Sequence, residues 1–423
     1  MTNSSMRHIL TATLCVASVA AMVPTAIYAQ ISSATRSAHA WIDKDTNHQV
    51  IQLTLEPGSK GLYFNENAFT PDGKQMVYIA GQNIKAMELA TYKTRLVAAG
   101  PFSALAVAHT SAAVYFTRPG DTGLYLAGIN TERIIKIADL PARATIDSLN
   151  ADDTLAAGTY TETDVPEFSL DPSLKASSVR AARADARLAA HIPMVLFTVD
   201  LKTGKVQTVL KSTDWISHVQ FSPKDTHLLM YCHEGLWYKV DRIWTVRTDG
   251  NNNRLIHQRT VNGEIAGHEF WDADGVTIWY DLQIPRGQNF YLASYNTDTG
   301  ARKWYSVERD AWSIHYNATA DDKLFCGDGG DYAQVAKSKN GQWIELLSPR
   351  ESPVPTEIDQ TTLVQSGFMV SKHLVNMSRQ DYSLEPNVRF SPDKKWVIFS
   401  SNMSGSSYVY AVEVAEAATA TTP

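Results

Sequence analysis

From Tyr63 onward the chain alternates short apolar runs with brief polar breaks, and the breaks share a form. The stretch YFNENAFTPDGKQMVYIA (63–80) runs apolar, turns at Pro-Asp-Gly and resumes with Met76, Tyr78 and Ala80 in alternation. Period-two alternation bounded by Asp/Gly turns predicts antiparallel strands. The unit recurs in degenerate form at SALAVAHTSAAVYFTRPGD (103–121), then at IDSLNADDTLAAGTYTE (146–162) and HVQFSPKDTHLLMYCHEGLW (218–237). It appears twice more between Glu264 and Asp331 and a last time at PNVRFSPDKKWVIFSSNMSG (386–405). With the turns at Asp72, Ser111, Asp152, Asp225, Asp274, Asp322 and Asp393 the count is seven repeats. Six or eight are the alternatives, because the second copy is weak. Repeats of roughly 40–50 residues carrying several short strands build propeller blades, four-stranded sheets set radially about a central channel. The expected fold is therefore all-β, a seven-bladed β-propeller over residues 48–415, with HQVIQLT (48–54) as its first strand.

Two intervals are stretched. Asp152 to Asp225 spans 73 residues and Asp322 to Asp393 spans 71, against 49 and 48 for the two between. The first surplus holds SLKASSVRAARADARLAAH (173–191), Ala-rich and poor in β-branched residues, which predicts a helical insertion at about 171–191 carrying Arg180, Arg183 and Arg187. Such a helix either sits solvated on the rim or helps to cover a site.

The ends of the chain differ from the repeats. Arg7 and His8 precede an apolar segment, and Ala29 provides a small residue before Gln30, so residues 1–29 read as a Sec-type signal peptide and the expected location is the periplasm. An uncleaved anchor is the competing reading. Cys15 follows the bulky Leu14 and makes no lipoprotein site. Residues 30–47 are expected to be a flexible approach and 416–423 a disordered tail, and no other stretch is apolar enough to span a membrane.

Composition narrows the function. With 44% hydrophobic and 19% charged residues the chain is an ordinary folded protein. Loss of residues 1–29 removes one cation, Arg7, and moves the net charge from −6 to −7. With no basic run, a nucleic-acid partner is not expected. An anionic small substrate would need a local Arg or Lys cluster against this field. Cys232 and Cys326 are too few for a disulfide framework and read as buried free thiols. The absence of G-x-S-x-G argues against a propeller that guards a hydrolase.

The chemistry-bearing residues are organised by phase. His268 in GHEFW and His315 in SIHYN occupy the same place in successive repeats, so both should face a common space near the axis. Gln380, Glu385 and Asn387 precede the seventh turn in that phase. His233 lies just past a strand, Arg242 on the next apolar run, and Arg286 in a Pro-Gly loop. Imidazole with carboxylate and amide oxygen suits Mn, Fe, Ni or Zn better than Ca. For any single histidine a satisfied structural role is the competing reading.

These segments carry a resemblance. HEFW-x-x-DG-x-TIWYDLQ-x-PRG, W-S-x-H-Y-N, GDGGD, CHEG-x-W with VDRIW, and LEPNV-x-FSPD-x-KWVIF-x-SNM together resemble the oligogalacturonate lyase family, from about Tyr63 to Val414. The resemblance implies a seven-bladed propeller that cleaves short, often unsaturated galacturonides by β-elimination with a divalent metal, typically Mn2+. It implies His268 as the proton-abstracting base, His315 as a metal ligand and Arg242 as an active-site arginine neutralising the uronate carboxylate. Where family members supply a glutamine and two histidines to the metal, this chain keeps Gln380 but has Ser383 and Glu385, which leaves Gln380 and Glu385 as the expected ligands. The leader is a second departure, since typical members act in the cytoplasm. His233 and Arg286 are the candidates for neighbouring substrate-binding positions, with loop support as the alternative. A homodimer is compatible with the sequence. Two other functions fit the same repeats: a non-catalytic periplasmic binding propeller, and a metal-dependent hydrolase on the same fold.

Overall fold

Each repeat is organised by one buried small or polar residue at the start of its turn. Thr70, Ala108, Asn150, Ser222, Asp272, Thr319 and Ser391 stand at this position and all are buried. Six of them turn a side-chain oxygen back on the backbone: Thr70 Oγ1 accepts from the N–H of Gln75 at 3.1 Å, and Asn150 Oδ1 from Leu155 at 2.9 Å. Thr319 and Ser391 do the same for Leu324 and Trp396. The second repeat has Ala108 there and cannot cap itself. Its turn is held from the next blade, where the Asp153 carboxylate accepts from the N–H groups of His109 and Thr110 at 2.9 and 2.8 Å. The weak second copy is a blade whose turn chemistry has moved to its neighbour.

The computed structural model describes residues 40–171, 173–332, 338–353 and 363–417. The signal peptide read at 1–29 and most of the tail read at 416–423 lie outside the described residues. Six blades each take four strands from one stretch of chain, at 59–98, 104–139, 145–212, 216–255, 265–306 and 316–376. The seventh joins the two ends. Arg389–Phe390, Trp396–Ser401 and Tyr408–Glu416 continue into His48–Gln52 and Ala40–Ile42, with Val50 opposite Val412 and Ile51 opposite Ala411. This joint replaces an open edge with a closed ring. Blades five and six are also paired at their outer edges, where Arg302–Ser306 runs parallel to Val364–Asn376 and makes one eight-stranded sheet.

Residues 40–47, read from the sequence as part of a flexible approach, are instead ordered by this closure. Ala40–Ile42 is the outermost strand of blade seven, and the turn after it is tied by Asp43, whose Oδ1 accepts from Asp45 and Thr46 while Oδ2 accepts from Asn376 at 3.0 Å.

Within each blade the second strand is largely buried, as in AVYFT at Ala113–Thr117, because it is covered by the blades on either side. The stretched first interval contains helix α1, Ala176–Ala189. It lies on the rim near Trp215 and residues 235–239: Arg187 sits 5.3 Å over the Trp215 ring and Asp185 pairs with Lys239 at 2.6 Å. No described helix is long and apolar enough to cross a membrane.

If closure holds the ring, Val50→Asp should be far more damaging than a surface change, since it places an unpaired carboxylate at a fully buried joint. A loss of roughly 3 kcal/mol or more is expected, measured as a lower denaturation midpoint together with proteolysis of the freed N-terminal strand.

Candidate active site

The inner strands of the blades do not stay regular where they approach the axis. In Ile216–Phe221 the register breaks between Ser217 and Gln220, and in Ile265–Trp271 it breaks between Gly267 and Phe270. Each break holds a histidine in the left-handed region, His218 at φ 49° and His268 at φ 45°. Bulges of this kind re-aim a side chain, and a non-glycine residue with positive φ stores roughly 1–3 kcal/mol of strain. The two bulges turn their imidazoles into a central cavity of about 1050 Å³, lined by His218 and His268 along with Tyr63, Trp237, Arg242 and Glu385.

His315 comes from the neighbouring blade and meets His268 edge to face, with ring centroids 4.8 Å apart. A buried carboxylate stands behind each ring. Asp281 Oδ1 lies 3.0 Å from His268 Nδ1, and Asp328 Oδ2 lies 2.8 Å from His315 Nδ1. With Nδ1 engaged, each ring is left with Nε2 for other partners. Phe64 stacks on His315 at 4.6 Å and Trp237 meets His268 edge-on at 4.8 Å. Burial favours a neutral imidazole at His268, but Asp281 outweighs it and holds the ring above the usual histidine value.

Behind this pair lies a compact charge cluster. Arg242, almost wholly buried, contacts Glu269 through Nε at 3.1 Å and Glu234 through Nη1 at 2.8 Å, while its guanidinium lies 4.6 Å from the Trp237 ring. Glu234 also meets His218 Nε2 at 3.1 Å. Burial works against the charge on both glutamates, yet Arg242 keeps both below the usual carboxylate value, Glu234 strongly so. Cys232 packs against Glu269, and burial pushes its thiol well up. It and Cys326 are buried free thiols.

Two protein donors converge where a divalent cation would fit. His315 Nε2 lies 3.7 Å from Glu385 Oε2 and 3.3 Å from the Tyr63 hydroxyl. A histidine whose second nitrogen rests on a carboxylate has the arrangement typical of metal ligands. Gln380 does not join them: its Oε1 accepts from Ser401 and from Asn402 N at 2.7 and 3.1 Å, and its Nε2 donates to Leu384 O at 2.7 Å. Among the described residues no group of three or more His, Cys, Asp and Glu side chains suited to a metal is assembled. One imidazole and one carboxylate fit a weakly held cation that completes its shell with water or ligand oxygens.

Against known proteins, the family model for oligogalacturonate lyase matches residues 189–418, more than half of the chain. The chain belongs to the oligogalacturonate lyase family. An oligogalacturonide lyase of Pectobacterium atrosepticum is 27% identical over 229 residues, covering 52% of this chain and 55% of the relative. An oligogalacturonate lyase of Dickeya dadantii is 28% identical over 223 residues, with the same coverage. The chain thus spans about half the length of the curated relatives it matches. An oligogalacturonate lyase solved in complex with manganese shares the fold, with a TM-score of 0.73 over 89% of this chain and 96% of that one at 21% identity. An oligogalacturonate lyase of Vibrio parahaemolyticus gives 0.72 over the same shares, also at 21% identity.

Within this oligogalacturonate lyase framework the residues singled out from sequence separate into groups. His268, His315 and Glu385 come together. Arg242 reaches the cavity but is not a free clamp, because two carboxylates already hold it. His233 and Arg286 do not line the cavity. His233 packs against Trp244 with centroids 4.9 Å apart, and the N–H of Arg286 donates to Gly263 O in the loop. His218, Tyr63, Trp237 and Glu234 went unremarked in the sequence. His218 could have been found: it stands four residues before the buried turn residue Ser222, as His268 does before Asp272 and His315 before Thr319.

Two outcomes test this geometry. Asp281→Asn should lower the His268 titration midpoint, read from its ring-proton shifts by NMR, since the ion pair that raises it is gone. Gly267→Ala would set a methyl carbon 2.5 Å from the Trp237 ring, so that ring must leave its contacts with His268 and Arg242; quenched or shifted tryptophan fluorescence would report the displacement.

Proposed function

We propose that this protein is a lyase that cleaves short oligogalacturonides by β-elimination with the help of a divalent cation, Mn2+, in pectin breakdown. The observation that carries the reading is the pair of imidazoles at 4.8 Å, each backed by a buried aspartate and each left with Nε2 for chemistry. Membership of the oligogalacturonate lyase family supports the substrate class, and the manganese complex of a protein with the same fold supports the metal.

In this reading His268 Nε2 takes the proton from C5 of the uronate. The C–H electron pair becomes the C4–C5 double bond, the C4–O4 bond breaks, and the departing oxygen keeps its pair and is protonated from solvent. The C5 proton is weakly acidic because the adjacent carboxylate is already negative. His315 and Glu385 would hold the cation, which supplies Lewis-acid neutralisation of that carboxylate. Asp281 fixes the His268 tautomer and steadies the imidazolium that forms. Trp237 and Phe64 pack against the two rings and exclude water from around them.

The acids in and behind the cavity are kept from repelling an anion in different ways. Glu234 and Glu269 are balanced by Arg242. Burial raises Glu66, which also lines the cavity, to about 7. As pH rises through that value Glu66 ionises and an anionic substrate should bind less well. The leader at 1–29 supports a periplasmic site of action, on polymer fragments that have crossed the outer membrane, by a monomer or a homodimer.

Mixing the mature protein with trigalacturonate should raise the ultraviolet absorbance of an unsaturated uronide, with the signal lost to chelator and restored by Mn2+. No rise together with no shorter sugars by mass would overturn the proposal, and shorter sugars without a double bond would make the protein a hydrolase. His268→Ala should lower turnover by roughly 10²–10⁴-fold while Mn2+ still binds, whereas Glu385→Ala should weaken Mn2+ binding itself. A KM that climbs above pH ~7 should become flat in Glu66→Gln, because the group that ionises there is removed.

A further inference from the structure

The cavity holds more room than one sugar needs, at about 1050 Å³ against ~300–1,000 Å³ for sites that enclose a drug-sized ligand. Each further galacturonate unit brings another carboxylate into a protein whose net charge is negative. Its cationic walls are largely engaged already. Arg242 is held by Glu234 and Glu269. Arg389 donates to the carbonyls of Glu66, Leu62 and Tyr63. His218 faces Glu234 and His268 faces Asp281.

Arg180 is different. It lines the same cavity from helix α1, is exposed, and its guanidinium forms no ion pair or hydrogen bond among the described residues. The helix is not a loose appendage. Arg187 lies over Trp215, which itself lines the cavity, and Asp185 pairs with Lys239. A Cβ on Gly235 would stand 3.1 Å from Leu188, so the helix rests directly on the turn between Glu234 and Trp237. The insertion therefore carries one unengaged guanidinium to a fixed place beside the site.

We propose that Arg180 binds the carboxylate of a galacturonate unit next to the one that reacts, and so makes the protein favour trimers and longer chains over dimers. The inference rests on the galacturonide reading above. A guanidinium is suited to the task because its planar fork matches a carboxylate with two parallel hydrogen bonds. Arg183 on the same helix does not line the cavity and provides a matched control of equal charge.

The test is calorimetric binding of di- and trigalacturonate, with Mn2+ present, in a His268→Ala background where substrate is not consumed, beside turnover assays in the otherwise native protein. Arg180→Ala should weaken trimer binding roughly tenfold or more, the worth of a charge-assisted hydrogen bond. Dimer binding should stay within about twofold and Arg183→Ala should change neither. Arg180→Lys should recover part of the loss. Equal losses on dimer and trimer, or none on either, would overturn the role of Arg180 while leaving the lyase reading intact. If the native protein shows no elimination yet Arg180→Ala still loses trimer affinity, the lyase reading falls and this one stands. Failure of the His268→Ala protein to bind either sugar would overturn both.

Discussion

Two carboxylates shut away from water set the terms for the rest of the site. Asp281 and Asp328 are buried, and a buried charge is tolerated only when it is paired and hydrogen-bonded. Asp328 is well supplied, accepting from His315 Nδ1 at 2.8 Å, from the His315 N–H at 2.8 Å and from the Asn387 N–H at 3.2 Å. Asp281 is not: Oδ1 meets His268, and Oδ2 has no hydrogen-bond partner among the described residues. The imidazole of His268 is thus the main compensation for a charge that has nowhere else to go. That dependence raises its proton affinity and fixes which nitrogen looks into the cavity.

The same economy governs the neighbouring cluster. Arg242 is placed between Glu269 and Glu234, and Glu234 in turn reaches His218, so one guanidinium organises two acids and a second imidazole. A cation used this way shapes the site without offering its own charge freely. Asn387 extends the network across the ring closure, accepting from the Phe64 N–H at 3.1 Å while donating its own N–H to Asp328. The ring stacked on His315 is therefore positioned by a residue of the last blade.

What could be read from the sequence was whatever the repeat itself encodes. The phase of the turns marks the seven blades, and the same phase brings His268 and His315 to one place. The same phase holds His218, four residues before Ser222. The misses are of another kind, because they depend on side chains pairing across separate blades. Nothing local to VDRIW announces that Glu234 and Glu269 will hold Arg242, and nothing in SRQDYSLEP announces that Ser401 and Asn402 will engage the Gln380 amide. The order of residues 40–47 was hidden for the same reason, since Ala40–Ile42 is a strand only by virtue of the blade it completes. Ala-rich composition foretold helix α1, but the direction of Arg180 came only with the rim it rests on.

The joint in blade seven also gives the molecule a temporal order. His48–Gln52 has its inner partner in Tyr408–Glu416, so a chain emerging from a ribosome or a translocation channel carries an unmatched edge through nearly the whole of its synthesis. Unpaired edges invite association with other chains. Glu385, Arg389 and Phe390, the last walls of the cavity along the chain, arrive late as well. Competence and the disappearance of that adhesive edge therefore fall at one moment, and a truncated or stalled chain would be inert and sticky at once.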